Sequence, residues 1–257
     1  MSGIRTEAQG AVLELVFDRV EKKNAITDAM YGALADGIEK AQADPALRIV
    51  LIRAEGDIFT AGNDLGDFAA VNAAGSRGDG PRNVQRFLQA LATAEKPIVA
   101  AVQGAAVGVG MTMLLHCDYV VMGEAASLIA PFVNLALAPE AASSLLLPQR
   151  IGHPRAFAMF ALGEPVPAQS ALDWGLANQM VPTAEVTAAA RAAAAKLAEK
   201  PIGALIATKT LMRDPAEIRQ RMDVEGEIFS ARLVSPEAKE AFTAFAERRK
   251  PDFSKFG

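Results

Sequence analysis

The stretch that decides the fold is residues 96–117, KPIVAAVQGAAVGVGMTMLLHC. Its first part, residues 98–103, is rich in valine, isoleucine and alanine, which predicts a buried β-strand. Three glycines then interrupt the apolar run, and the residues from Met111 onward predict the start of a buried helix. Because the first N–H groups of a helix have no partner inside it, this arrangement offers free backbone donors. The sequence therefore predicts a cradle for a phosphate or an oxyanion.

Three familiar motifs are absent at these glycines. A Walker A loop requires Gly-Lys-Ser/Thr, whereas Gly110 is followed by Met111 and Thr112. A dinucleotide fingerprint requires a third glycine where Met113 stands, and a nucleophile elbow requires a serine between glycines. The uncharged run is long enough to span a bilayer, but Gln103 and the glycines argue against a membrane helix.

The composition limits the class of protein. The chain has 257 residues, of which 51% are hydrophobic, enough for one large domain. A formal net charge of −4 argues against a general nucleic-acid surface. The one cysteine, Cys117, cannot form an internal disulfide, which fits a reducing compartment. With no signal segment, peroxisomal address or metal-ligand motif in the sequence, we expect a cytoplasmic protein without metal, nucleic-acid or membrane partners.

The hydrophobic patterns predict an α/β protein whose last hundred residues are helical. Strands are predicted at residues 12–17, 49–53, 98–103, 119–122 and 127–130. Helices are predicted after the N-cap Thr27, at residues 84–95 and 188–198, and after the N-cap Ser235. Residues 69–83 have little apolar bulk and several glycines, which predicts a mobile loop. Phe242 and Phe245 on the last helix predict a buried face, either against the chain's own domain or against another subunit.

Several segments taken in order resemble the crotonase, or enoyl-CoA hydratase/isomerase, family. The segments are Asn24-Ala25-Ile26-Thr27, FTAGNDL at 59–65, the strand-to-helix stretch at 100–118, PQRIG at 148–152 and Gly175-Leu176. The resemblance implies a spiral of strand–strand–helix repeats over residues 1–195, which holds the acyl-CoA site. It implies a C-terminal helical region, residues 196–257, that forms trimers, often paired as hexamers. The implied substrate is an acyl-coenzyme A thioester, and coenzyme A as part of the substrate is the only cofactor expected.

The resemblance also implies which residues bind the substrate. The backbone N–H groups of Asn63 and Val109 would form an oxyanion hole for the thioester oxygen; the family usually has Ala and Gly there, but the chemistry needs only backbone donors. Lys22 and Lys23 would meet the phosphates of coenzyme A, although they also fit an ordinary solvated turn. Asp64 is expected to brace its loop. The remaining residues expected to bind substrate are Ala25, Ala61, Gly62, Leu65, Gly108, Thr112 and Phe132.

The two glutamates with which hydratases of the family activate water are missing. Their positions are occupied by Thr112 and Phe132, neither of which can act as a carboxylate base. We therefore expect hydration to be slow and Thr112→Ala to have little effect.

Glu140 is the expected base. It is the only acid between Glu124 and Glu164, and its segment resembles that of the peroxisomal type of Δ3,Δ2-enoyl-CoA isomerase, where a glutamate is catalytic. One carboxylate between C2 and C4 of the acyl chain would move a proton from one carbon to the other. The alternative is that Glu140 only caps the helix that follows it.

Three functions stay open at this point. The first is a Δ3,Δ2-enoyl-CoA isomerase, the second an atypical hydratase, lyase or hydrolase, and the third an acyl-CoA-binding scaffold without activity. His116 lies in an apolar run and is expected to be a core or interface histidine, and His153 lies in a Gly-His-Pro loop; neither is expected to be catalytic.

Overall fold

The computed structural model describes residues 3–74 and 83–256 of the chain. Nine strands are described: β1 (Ile4–Gln9), β2 (Val12–Phe17), β3 (Ile49–Ala54), β4 (Ile98–Val102), β5 (Ala105–Val107), β6 (Tyr119–Gly123), β7 (Ser127–Ile129), β8 (Val166–Pro167) and β9 (Gln179–Val181). Eleven α-helices are described: α1 (Asp28–Ala43), α2 (Leu65–Ala74), α3 (Asn83–Thr93), α4 (Val109–Thr112), α5 (Ser143–Ile151), α6 (His153–Leu162), α7 (Ala168–Asp173), α8 (Val186–Ala198), α9 (Ile202–Met212), α10 (Pro215–Leu233) and α11 (Pro236–Ala246). Short 3₁₀ turns, at Val20–Lys22 and Met113–His116 among others, join these elements.

The strands form two sheets. The larger has six strands in the order β1-β2-β3-β4-β6-β9, of which only the β1–β2 pair is antiparallel. The smaller has the order β5-β7-β8. The pairs β4/β5 and β6/β7 each place a first strand in the large sheet and a second in the small one. The bridge between Thr60 and Ala106 extends the same pattern to the segment after β3. The α/β order of strand–strand–helix repeats expected from the sequence is therefore present.

Both faces of the large sheet are buried. Alternate residues of β3 face opposite sides: Ile49 and Leu51 belong to a cluster with α8, whereas Val50 and Ile52 belong to the main core. Because side chains alternate along a strand, a strand covered on both faces must be apolar at nearly every position. This explains the continuous apolar runs from which the strands were predicted.

Three helix starts follow from local sequence. The Thr27 hydroxyl accepts from the Met30 N–H at α1, and the Ser235 hydroxyl accepts from Ala238 at α11, as predicted. Asp214 caps α10 in the same way. Each side chain satisfies a donor that the helix itself leaves free.

The structure corrects the prediction of a loop at residues 69–83. Residues 69–74 belong to α2 and Asn83 begins α3, while residues 75–82 lie outside the described part of the chain. The helix is stable because Phe68 and Val71 pack on the main core and Asn72 donates to the backbone of Leu233 and Ser235.

The C-terminal part is less purely helical than predicted, because β8 and β9 return to the two sheets. The predicted boundary at residue 195 falls inside α8. On the last helix Phe242 is buried and packs 6.3 Å from the ring of Phe68, whereas Phe245 is 62% exposed. Phe242 thus packs against the chain's own core.

Candidate active site

The loop at residues 59–65 lies directly against β5, the strand that leads into α4. The Thr60 N–H donates to the Ala105 carbonyl, and the Val107 N–H donates back to Thr60. A Cβ on Gly62, whose φ is +84°, would lie 2.7 Å from the Val107 carbonyl oxygen, and a Cβ on Gly110 would lie 2.3 Å from the Thr60 methyl. Glycine at these two positions allows the loop and the start of α4 to approach each other.

Two backbone donors are available where these segments meet. Val109 is the first residue of α4, so its N–H has no acceptor within the helix. Asn63 follows Gly62 directly in the loop. Among residues 3–74 and 83–256, neither the Asn63 nor the Val109 N–H makes a hydrogen bond. Both groups that the sequence assigned to an oxyanion hole are therefore available as donors.

Glu140 lies on the wall of a large cavity that also exposes Asn63. The cavity has a volume of about 1080 Å³. Its apolar lining includes Phe68, Leu88 and Phe229, from α2, α3 and α10. A half-buried carboxylate, several apolar side chains and the loop residue Asn63 thus line one open cavity.

The Glu140 carboxylate is oriented by Thr112. The Thr112 hydroxyl, which is fully buried, donates to Oε1 of Glu140 at 2.6 Å. Thr112 is therefore a partner of the expected base, and the prediction that Thr112→Ala has little effect is revised. No local sequence pattern indicates this contact, which joins residues 28 positions apart.

The turn after Glu140 has an unusual backbone. Ala141 and Ala142 adopt φ values of +60° and +55°, the left-handed region that residues other than glycine rarely enter. Each such residue costs roughly 1–3 kcal/mol and persists only when its surroundings hold it. Because the two alanines immediately follow the expected base, this strain is located at the site itself.

Tyr31 is a site residue that the sequence analysis did not identify. Its hydroxyl donates to Oδ1 of Asn63 at 2.6 Å, and its ring lines the cavity. Burial, the negative charge of Glu140 and that of Asp28 raise the pKa of Tyr31 well above its usual range, so the hydroxyl stays a neutral donor. A signal existed: Tyr31 lies among the apolar residues Met30, Leu34 and Ile38 of the predicted helix after Thr27, and a buried tyrosine hydroxyl needs a partner.

Asp64 braces the loop, as predicted. Its carboxylate accepts from the Arg19 guanidinium at 3.1 Å and from the Gly66 N–H at 3.1 Å. Arg19 also donates to the Ala25 carbonyl, which ties the loop to the turn before α1. Asp64 also lines the cavity.

The other expected substrate-binding residues fall into two groups. Lys22 and Lys23 are exposed beside the loop; the Lys23 carbonyl accepts from the Ala61 N–H, and Leu65 begins α2. Gly108, with φ +56°, caps α4. Phe132 is buried against Phe160, with the ring centres 6.0 Å apart. Of all the expected site residues in the described part of the chain, only Asn63, Asp64 and Glu140 line the cavity.

Residues 3–74 and 83–256 contain neither a cluster of metal ligands nor a membrane-spanning helix. No three His, Cys, Asp or Glu side chains come close enough together to hold a metal ion. No helix is both long and apolar enough to cross a membrane.

Comparison with known proteins agrees with this architecture. Residues 7–255 match the family described as Enoyl-CoA hydratase/isomerase. A solved enoyl-CoA hydratase/isomerase from Pseudoalteromonas atlantica T6c superimposes with a TM-score of 0.92 at 40% identity, covering 98% of this chain and 100% of that one. The chain belongs to the enoyl-CoA hydratase/isomerase, or crotonase, family and is an enzyme of that family.

The names of relatives in this family are mixed. The 2,3-dehydroadipyl-CoA hydratase of Escherichia coli K12 is 31% identical over 98% of this chain and 99% of its own length. The enoyl-CoA delta isomerase 2 of Rattus norvegicus is 28% identical over 96% of this chain and 64% of its own length. Similarity therefore defines the family, and the choice between the two reactions must come from the site.

Proposed function

We propose that the protein is a Δ3,Δ2-enoyl-CoA isomerase in which Glu140 is the single acid–base residue. The observation that carries the proposal is the contact between Glu140 and Thr112 on the cavity wall. The two positions at which hydratases of the family bear glutamates are Thr112, which binds Glu140, and Phe132, which is buried away from the cavity. One carboxylate facing the cavity suits a proton transfer within the substrate. It suits the activation of water less well, because hydratases of the family use two carboxylates for that.

The proposed reaction moves one proton and needs no other reactant. Glu140 removes a proton from C2 of a 3-enoyl thioester, and the C2–H electrons form the C1–C2 double bond of a dienolate. The N–H groups of Asn63 and Val109 stabilise the negative thioester oxygen. The thioester carbonyl then re-forms, the C1–C2 double-bond electrons shift to C2–C3, and the C3–C4 double-bond electrons take the proton from Glu140 at C4. The product is the conjugated 2-enoyl thioester. No cofactor beyond the coenzyme A of the substrate takes part.

Two other acids that line the cavity, Asp64 and Asp28, already have structural roles. Asp64 accepts from the Arg19 guanidinium and braces its loop. Asp28 accepts from the Asn83 amide at 2.7 Å and lies in the first turn of α1.

The test compares two substrates. With 3-hexenoyl-CoA we expect a rise in near-ultraviolet absorbance as the conjugated product forms, and with crotonyl-CoA we expect slow loss of absorbance through hydration. Faster hydration than isomerisation would favour the atypical hydratase, which the name of the E. coli relative also supports. Binding of acyl-CoA without turnover of either substrate would favour the scaffold function.

We also propose that coenzyme A binds along the loop at residues 61–65, with Lys22 and Lys23 near its phosphates. Both lysines are exposed beside the loop. Calorimetric titration with acetyl-CoA should show binding that weakens when both lysines are replaced by glutamine. Unchanged affinity in the double variant would show that the two lysines form only a solvated turn.

A trimer or hexamer is the proposed assembly, and the cytoplasm is the proposed location. The end of α9 exposes two large apolar residues, Leu211 and Met212, at 89% and 81%. Such exposure is costly in water and favours a subunit contact. Light scattering coupled to size exclusion should give three or six times the chain mass; a monomer mass at micromolar concentration would contradict this.

A further inference from the structure

The turn that follows Glu140 is held from outside by two buried ionisable side chains, His116 and Glu225. Neither lines the cavity in the described part of the chain. The turn itself is closed by the Ser143 N–H, which donates to the Glu140 carbonyl at 3.1 Å. Because Ala141 and Ala142 both have positive φ, one short hydrogen-bonded turn is not enough to keep this backbone in place.

Glu225 holds the turn from α10. Its Oε2 accepts from the Ala142 N–H at 2.6 Å, and its Oε1 accepts from the Ser144 N–H at 2.8 Å. Ala142 is the N-cap of α5 and has no side chain able to cap it. Glu225 therefore supplies, from 83 positions away, the acceptors that a serine or aspartate N-cap normally provides.

His116 holds the turn from the other side. The Arg213 guanidinium, which is always a donor, contacts Nδ1 of His116, and it also donates to the His116 carbonyl at 3.1 Å. Nδ1 must therefore accept, and the ring proton lies on Nε2, which donates to the Ala141 carbonyl at 2.7 Å. Burial and the charge of Arg213 lower the pKa of His116 to about 3, so this neutral tautomer persists at neutral pH.

We propose that His116 and Glu225 are positioning residues that set the location of the Glu140 carboxylate relative to Thr112 and to the oxyanion donors. The proposal rests on the proposed function, in which Glu140 is the base. It adds two residues that contact no substrate and act through the backbone on either side of the strained turn.

The position of His116 in the chain links the turn after Glu140 to the groups that would act on the substrate. Val109, Thr112 and His116 belong to one continuous segment, α4 and the 3₁₀ turn after it. That segment supplies an oxyanion N–H, the hydroxyl that binds Glu140 and the ring that binds Ala141. A shift of the turn relative to this segment would move the base away from both other groups, and a misplacement of about 1 Å can cost roughly 10²-fold in rate.

The experiment uses the full-length protein and measures kcat and KM separately. Glu225→Gln keeps the volume but leaves one of the two N–H groups without an acceptor, and His116→Leu removes both ring contacts. Both variants should lower kcat by about tenfold or more with KM for 3-hexenoyl-CoA changed by less than about threefold. His116→Gln, which retains an amide donor for the Ala141 carbonyl, should recover part of the rate lost in His116→Leu.

The matched control is Glu14→Gln. Glu14 is also a buried glutamate with two partners, Arg53 and Arg191, but it lies outside the cavity lining. The Glu14→Gln substitution should lower the melting temperature and leave kcat unchanged. A purely structural role for Glu225 would give the same result in both variants, and normal kcat in folded Glu225→Gln would overturn the proposal. If His116→Leu does not fold, Glu225→Gln and His116→Gln decide the question.

Failure of the proposed function would be visible separately. If the wild-type protein does not isomerise 3-hexenoyl-CoA, the isomerase is rejected, and a crystal structure of Glu225→Gln then tests positioning alone. A Thr112–Glu140 contact still at the native 2.6 Å would overturn the positioning proposal. Its loss, with the rest of the fold unchanged, would support the proposal for whatever reaction the site performs.

Discussion

Glu14 and Glu140 are both enclosed glutamates, and they differ in what faces them. Glu14 is fully buried between β2, β3 and α8, where Arg53 donates to it at 2.6 Å and Arg191 at 2.7 and 2.9 Å. Although burial raises the pKa of Glu14, the hydrogen bonds from Arg191 and Arg53 bring it below its usual range. Glu14 is therefore fixed as an anion and joins two strands to a helix.

Glu140 accepts from a neutral hydroxyl and faces a cavity. The Thr112 hydroxyl orients the Glu140 carboxylate, and the cavity beside the carboxylate leaves room for a substrate. The comparison shows that burial alone does not make an acid catalytic. The open space beside the carboxylate separates the candidate base Glu140 from Glu14, which is held between two guanidinium groups.

Replacing Glu140 is expected to have the largest effect. Glu140→Gln keeps the shape and can still accept from Thr112, but it removes the base, so kcat should fall by roughly 10²–10⁴. Steady-state assays with 3-hexenoyl-CoA measure the rate, and calorimetry should show acyl-CoA binding retained. Isomerase rates close to wild type would contradict the assignment and leave Glu140 as a cap of α5.

Replacing Glu14 should produce the opposite pattern. Glu14→Gln breaks a buried ion pair and leaves Arg53 without its closest partner, which should lower the free energy of unfolding by about 3 kcal/mol. Urea unfolding measures this change, and kcat should be unaffected. The exposed Glu124→Gln is the control and should change stability by less than about 0.5 kcal/mol. A loss of activity in Glu14→Gln without a loss of stability would break the comparison.

Substitutions of Thr112 test whether its hydroxyl orients the Glu140 carboxylate. Thr112→Val removes the hydroxyl at nearly constant volume, and a hydrogen bond to a charged group contributes about 1.5–3 kcal/mol. If that energy orients the base, kcat should fall by about tenfold to a hundredfold. Thr112→Ser keeps the hydroxyl and should keep most of the rate. Equal rates in the two variants would show that the contact does not orient Glu140.

The sequence predicts the parts of this molecule that depend on local pattern. Apolar runs predicted β2, β3, β4, β6 and β7, and single residues predicted the caps at Thr27 and Ser235. The donors Asn63 and Val109 followed from a family resemblance, because backbone N–H groups depend on the course of the chain and less on side-chain identity.

Long-range contacts were not predictable in the same way. Nothing near Glu225 indicates that its acceptors serve Ala142 and Ser144, since the contact exists only once α10 packs on α5. The short strands β5, β8 and β9 were also missed, because two or three residues show no periodicity. Residues 69–74 have weak helical signals of their own and become helical through the packing of Phe68 and Val71.

His116 is expected to make the folded chain lose stability as the pH falls below the ordinary pKa of histidine. Its pKa is about 3 in the folded chain against 6.5 when unperturbed, so the unfolded chain binds a proton that the folded chain does not. The stabilisation is therefore complete above about pH 6.5 and falls by up to about 1.4 kcal/mol per unit as pH decreases toward 3. The lowered pKa of Glu14 acts in the same direction, but only below its ordinary value of 4.5.

Urea unfolding at about pH 7.5, 6.5 and 5 should show this slope in the wild type and in the exposed control His153→Gln, and a weaker slope in His116→Gln. Parallel curves for wild type and His116→Gln would mean that His116 is protonated in the folded protein, and Nδ1 could then no longer accept from Arg213.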